Sequence, residues 1–540
     1  MSSLTPITGT LGLKRAKHLL NRLTFGPTKE RIDAFAAMTI TEALDELLLE
    51  YTPVEEPREL TNDDVDNPLY RLTYQDNAQV IQWWLSNMLQ GNGLIEKMIF
   101  FYHTHFTTME SRVEEPKALR DQLQLFRKYA LGSFKSLSYD ICFDHAMMAH
   151  LDSTQNIKGR PNENFAREFL ELYTIGKGPQ VGEGDYTTYT EQDVQEGARV
   201  LSGFIENLSN QTEEITLGTI DPSRHDYTDK EFSTAFGQRK IVADTTLEPL
   251  DSAFKEVQDM VDMIFDQEAT GVFLLTRLYR YFLYADISPD ALENVIKPLA
   301  AQLKGEAYEI KEVLKVFFSS QHFFDEDNAD VTDNIRGAII KSPLDLTVGA
   351  YRFFKFKLPD NTAMVENPDM SGDPEMMDEY ATALADIYST IEEQGMRLYE
   401  PPEVAGYQAY HQAPVFHRFW ITPNNIAYRY LLYTKLLDEG MMMNWDILEY
   451  FKDPLNSSDP SDAEQLVSDL IDYIFPEIIT PERKQGFITS TIVEQISDNY
   501  IENLDYWRTQ WNDEMQEMNV RNKLALLVKM LMESPEHQLY

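Results

Sequence analysis

Cysteine is nearly absent: the chain has one, Cys142. A single thiol forms no internal disulfide, so oxidative stapling is excluded. A nucleophilic cysteine needs a setting that stabilises the thiolate. Cys142 lies instead in the apolar run Ile141-Cys142-Phe143 and is expected to pack as a small hydrophobe.

Basic residues are also scarce. There are 47 Lys and Arg against 89 Asp and Glu, a net charge of −42. Such a surface repels nucleic acid and anionic membranes, which bind through cationic patches, so neither is expected as a partner. It suits a cationic partner, bound divalent cations or a salty habitat. A solvated acidic face that keeps the protein soluble is the simplest reading.

Long apolar runs are missing. No stretch approaches the ~20 uninterrupted apolar residues of a membrane-spanning helix, and no membrane insertion is expected. The segment Met1-Ser2-Ser3-Leu4-Thr5-Pro6 lacks a basic region followed by an apolar one. That makes the cytoplasm the expected compartment; the alternative is a periplasmic or extracellular protein, reached after signal removal or by co-export with a partner. Several chemical signatures are lacking as well. There is no phosphate loop, dinucleotide fingerprint, paired-cysteine zinc motif, His-Glu-x-x-His or G-x-S-x-G elbow. The common routes to ATP use, nicotinamide chemistry and serine hydrolysis have no support.

What is present is helical spacing. The 540 residues are 43% hydrophobic and 12% aromatic, ample for a buried core and, by length alone, roughly two to four domains. Leu19, Leu20 and Leu23 form one apolar stripe, and Ile32, Phe35 and Ala36 a second behind Thr28. Thr39 with Glu42 reads as a capping box opening a third helix. Further helices are expected over 78–89, 94–106, 116–129, 164–174, 190–204, 253–265, 271–283 and 310–318. Strand-like alternation is confined to Ile215–Ile220. The expected fold is all-α, a large multi-helical unit with long irregular loops and few or no strands. The loops fall at 51–66, 176–186, 207–240, 358–379 and 453–463. A break near Lys341-Ser342-Pro343 would divide the chain into a main helical region, 1–345, and a C-terminal helical region, 346–540, packed on it.

Five segments carry side chains suited to chemistry. His103-Thr104-His105 closes an aromatic helix. Residues two apart on a helix point ~200° apart, so these imidazoles cannot chelate one ion from a regular helix. They are core residues, or serve different sites. The stretch Asp152 to Tyr173 leads a polar loop, with Asn156, Asn162 and Glu163, into a helix bearing Asn164, Arg167, Glu168 and Glu171. Asn164 shares a face with Glu168, and Arg167 with Glu171. Glu168 and Glu171, three apart, would jointly hold a divalent cation or divide acid and base roles; the alternative is a surface helix with internal salt bridges. Thr190 and Asp193 match a capping box, with Glu191 in the first turn and a salt bridge expected between Glu196 and Arg199. Arg224-His225-Asp226 lies in the long loop, offering a ligand with its partner or a base with its orienter. Pro401-Pro402-Glu403-Val404-Ala405-Gly406-Tyr407, followed by His411, His417 and Trp420, reads as a rigid loop on the core or the aromatic wall of a cleft.

In this order the segments resemble the bacterial family known as domain of unknown function 1800. His18-Leu19-Leu20-Asn21-Arg22-Leu23-Thr24-Phe25-Gly26-Pro27-Thr28 resembles its opening signature. His103-Thr104-His105-Phe106 is similar to its His-Asn-His-Phe motif, with threonine in place of asparagine. Asn162-Glu163-Asn164-Phe165-Ala166-Arg167-Glu168-Phe169-Leu170-Glu171-Leu172 is a close match to its most distinctive segment. Tyr189 to Val194, Arg199, His225-Asp226 and Lys341-Ser342-Pro343 follow. The Pro401–Tyr407 segment is similar to the family's Pro-Pro-Asn-Val-Ala-Gly-Trp, with Glu403 and Tyr407 substituted. The resemblance implies one large helical unit and no settled activity. It also implies, by gene neighbourhood, a sulfatase-like or phosphatase-like partner.

Two functions are therefore expected to compete. One is a hydrolytic enzyme, with or without a divalent metal, whose site gathers His103, His105, Glu168, Glu171 and His225, with Asn162, Asn164, Arg167, Asp226 and Tyr407 around the substrate. The other is a non-catalytic acidic partner or escort of a sulfatase-like hydrolase. A third reading is an acidic structural or surface-associated protein.

Overall fold

The computed structural model describes residues 2–49, 53, 73–113, 115–207, 215–327, 336–359, 374–437 and 445–540. The expected loop at 51–66 lies almost wholly outside these, as do parts of those at 207–240 and 358–379. The first half runs α1 (Gly12–Leu23), α2 (Lys29–Ala36), α3 (Ile40–Leu47), α4 (Thr73–Gln90), α5 (Ile95–His105), α6 (Pro116–Lys128), α7 (Phe134–Ile141) and α8 (His145–His150). It continues with α9 (Asn164–Glu168), α10 (Glu191–Val200), α11 (Pro249–Phe265), α12 (Glu268–Phe282), α13 (Lys297–Gly305) and α14 (Ile310–Ser319). Then come α15 (Pro343–Phe353), α16 (Pro374–Glu393), α17 (Pro423–Leu437), α18 (Ile447–Lys452), α19 (Ala463–Ile474), α20 (Pro481–Thr491), α21 (Tyr500–Trp511) and α22 (Glu517–Met532). The fold is all-α, as the spacing predicts.

Local sequence explains most helix starts. The Thr39–Glu42 capping box is present, with the Glu42 carboxylate accepting the Thr39 amide at 2.8 Å. Thr28 caps α2 by accepting the Arg31 amide. The only strands among the described residues are two short antiparallel pairs in the long loop after α10. In one, β1 (Phe204–Ile205) pairs with β2 (Thr219–Ile220), Phe204 opposite Ile220. In the other, β3 (Lys230–Glu231) pairs with β4 (Lys240–Ile241). The strand expected over 215–220 is thus reduced to its last two residues.

The axis of the molecule is α5. Every residue from Ile95 to His105 is buried, so its charges need partners inside the core. Glu96 accepts from the Trp84 indole at 3.1 Å and from Arg127. Lys97 pairs with Asp345 at the start of α15. The Tyr281 hydroxyl of α12 donates to the Lys97 carbonyl at 3.1 Å. Gly26 is required where α1 ends: its φ is +95°, and a Cβ there would lie 2.7 Å from the Cα of Gly349 on α15.

Candidate functional site

The end of α5 sends its two histidines to different neighbours. The His103 ring packs against Tyr399, Trp84 and Tyr407, centroids 4.5, 5.1 and 6.0 Å away. Its Nε2 lies 3.3 Å from the Tyr407 hydroxyl and accepts from the Tyr399 amide at 3.4 Å. His105 lies among Phe106, Phe134, Tyr173 and Phe273, with Nε2 2.8 Å from the Tyr173 carbonyl. Burial pushes both imidazoles down to about 3, so both are neutral at physiological pH. The Nδ1 atom of each is buried without a hydrogen-bond partner among the described residues.

These neutral rings set an acid sensitivity. In the unfolded chain a histidine titrates near ~6.5. Below that pH, His103 and His105 favour unfolding, together by about 4 kcal/mol on going from about pH 7 to about pH 5. His18 and His537, also held down by burial, act in the same direction. Buried Asp144 runs the other way. Its carboxyl is pushed up to about 7, so the folded state takes up a proton first and regains roughly 2 kcal/mol over the same range. Half-buried Glu168 adds a smaller, solvent-screened gain. The thermal midpoint is expected to be lower at about pH 5 than at neutral pH, and Asp144→Asn should widen the drop. A midpoint that does not fall in the D144N protein would contradict this.

The Asn162–Glu171 segment reaches His105 through its far end. Asn156, 3% exposed, sends its amide to the carbonyls of Ala198 and Leu201 at 2.7 and 2.9 Å. Its Oδ1 accepts the Asn162 amide at 3.1 Å, and the Asn162 side chain accepts the Asn164 amide at 3.0 Å. Asn156 and Asn162 thus fix backbone, while Asn164 is exposed. Arg167 forks onto Glu191 at 2.9 and 2.5 Å and touches Glu163 at 3.2 Å. After Glu168 the helix widens into a π turn, Phe169–Thr174, a feature frequent at functional sites.

The two carboxyls are treated differently. Glu171 pairs with Lys177 and accepts the Tyr189 hydroxyl at 2.9 Å. Glu168 has no hydrogen bond and no ion pair among the described residues. Burial first, and the Glu171 charge second, push its carboxyl up to about 7. The same Glu168 charge is felt at Tyr173, whose carbonyl holds His105.

His225 and Asp226 sit elsewhere. His225 is fully buried, with Nδ1 2.8 Å from the Ser202 carbonyl and Nε2 3.6 Å from Glu256, which Lys230 also engages. Asp226 takes Arg199 at 3.0 Å and the Thr228 amide at 2.9 Å. Burial opposes its ionisation, but those donors hold it down at about 2. None of these contacts reaches Glu168, Glu171, His103 or His105. Tyr407 is buried over His103 and donates to the Arg397 carbonyl. Its loop is fixed by Gly406 (φ +101°), where a Cβ would lie 2.9 Å from the Thr107 methyl.

The expected gathering thus falls into three settings: Glu168 and Glu171 on the segment that leads to Tyr173, whose carbonyl holds His105; His103 with Tyr407; and His225 with Glu256. Among the described residues no three His, Cys, Asp or Glu side chains are placed to hold a metal ion. Sequence spacing gave no signal for one neighbour, and placed another, His411, only in a possible cleft wall. Arg277 on α12 donates to the Thr104 carbonyl at 3.3 Å, and its charge is felt at His105 and His411. The buried Nε2 of His411 has no partner.

No helix among the described residues is long and apolar enough to cross a membrane. No curated protein and no solved structure matches the chain. A family profile does, over residues 18–539, and with nearly the whole length covered the chain belongs to the family described as Protein of unknown function (DUF1800).

Proposed function

We propose that the protein is a hydrolase in which the Glu168 carboxyl moves the proton. The observation that carries this is a half-buried carboxyl with no hydrogen bond or ion pair among the described residues, pushed up by burial to about 7. A group poised near the working pH exchanges protons most effectively. Glu171, paired with Lys177, supplies the second carboxyl of a pair whose environments differ. His105 positions the segment through Tyr173, and Arg167 ties it to α10. Glu168 acts as general base on a water, without a resident metal.

The test uses the purified full chain against chromogenic carboxylic esters, phosphate monoesters, sulfate monoesters and glycosides, with and without chelator. Chelator-insensitive turnover in one class is expected; no turnover in any class would overturn the proposal. The net charge of −42 supports a second reading, an acidic escort of a sulfatase-like hydrolase. Co-purification of such a neighbour with a chain that hydrolyses nothing would favour it.

A further inference from the structure

A second polar centre lies where α1, α15 and the C-terminal segment meet. A cavity of about 40 Å³ is lined there by Asn21, Lys341, Asp345, Tyr473, His537 and Tyr540, among others. That is several times the roughly 10–15 Å³ one water needs. The surrounding charge does not balance. Asp345 is committed to Lys97 and also accepts from Ser342 at 2.8 Å and Tyr540 at 3.1 Å. Lys341, 8% exposed, has His537 Nδ1 at 3.4 Å as its only side-chain hydrogen-bond partner among the described residues. His537 is held on its other side by the Tyr433 hydroxyl at 2.9 Å.

Behind the cavity wall stands Arg429, fully buried. It donates to Gln538 at 2.8 Å and to the Lys341 carbonyl at 3.0 Å, and its Nη1 has no hydrogen-bond partner among the described residues. Neither Lys341 nor Arg429 has a carboxylate within ion-pair distance among the described residues. Asn21, which also lines the cavity, has no hydrogen bond to either of them among the described residues. Asp345 also lines this space but is shared with Lys97, so two buried basic groups with no ion pair of their own among the described residues stand beside an opening that an anion would balance. Burial lowers the Lys341 ammonium to about 7, so it is easily recharged by a negative ligand.

We propose that this cavity binds a small tetrahedral oxyanion of the phosphate or sulfate class, held by the Lys341 ammonium and the Asn21 amide, with Arg429 adding to the field. The site does not depend on the role given to Glu168. Calorimetric titration of the full chain with inorganic phosphate, and separately with sulfate, tests it against chloride at constant ionic strength. Saturable binding is expected for at least one oxyanion, with a matching rise in thermal midpoint. Lys341→Met should weaken it roughly 10- to 100-fold, the worth of a charge-assisted hydrogen bond. Asn21→Ala, at a half-buried position, should weaken it several-fold and stands in if the lysine variant does not fold. The two oxyanion arms tell which is preferred. No saturable binding of either, or equal binding by wild type and both variants, would overturn the proposal.

Discussion

Glu168→Gln is expected to lower hydrolytic turnover about 10²- to 10⁴-fold, the usual worth of a positioned proton carrier. Glutamine keeps the shape and loses only the ionisable group. Because the carboxyl has no hydrogen bond or ion pair to lose, the thermal midpoint of the variant should be unchanged or slightly raised. A general base is active when deprotonated, so the wild-type rate should rise with pH through about 7, where burial places Glu168. Glu171 contributes to that position by like-charge repulsion. Glu171→Gln should therefore move the rising limb to lower pH, because removing a negative neighbour favours the ionised form. Rates are measured on whichever chromogenic substrate the wild-type chain turns over. Full activity in the E168Q protein would remove the catalytic role, and a limb that stays in place in the E171Q protein would remove the coupling.

The helices were legible because their signals are local. Capping boxes at Thr39–Glu42 and Thr190–Asp193 appear as expected, as does the Glu196–Arg199 pair. Cys142 is fully buried, its thiol pushed up by desolvation. The candidate site was legible in part. The i,i+4 rule places Arg167 on the face of Glu171, yet Arg167 pairs with Glu163 and Glu191 instead. The π turn beginning at Phe169 adds a residue to the turn and swings Glu171 toward Tyr189 and Lys177. A 3.6-residue pattern and a π turn look alike in so short a segment. His225 with Asp226 reads as one unit, but each finds its own partners across the loop. Arg277 was invisible as a site neighbour because nothing local links it to His105, and His411 was legible only as part of a possible cleft wall. Long-range meetings of this kind carry no periodicity.

The same holds for the buried Lys97–Asp345 ion pair, which joins residues 248 positions apart. Asp345→Asn is expected to cost about 3–5 kcal/mol, the range for removing one partner of a buried ion pair. The Lys97 and Asp345 side chains are only 2% and 7% exposed. Lys97 also lies over the Phe25 ring at 4.5 Å, a contact that offsets little of a lost carboxylate. Asparagine preserves volume and one acceptor for Ser342 or Tyr540, so most of the loss is the unpaired ammonium. Lys97→Met with Asp345→Leu should recover much of it, because no charge is then stranded. Asp259→Asn, at the exposed Lys255–Asp259 pair, serves as control and should cost below about 1 kcal/mol. Thermal unfolding at one scan rate and neutral pH compares the four proteins. If D345N and D259N lose the same amount, burial is not what makes the Lys97 pair matter, and the charge imbalance around Lys341 loses its energetic basis as well.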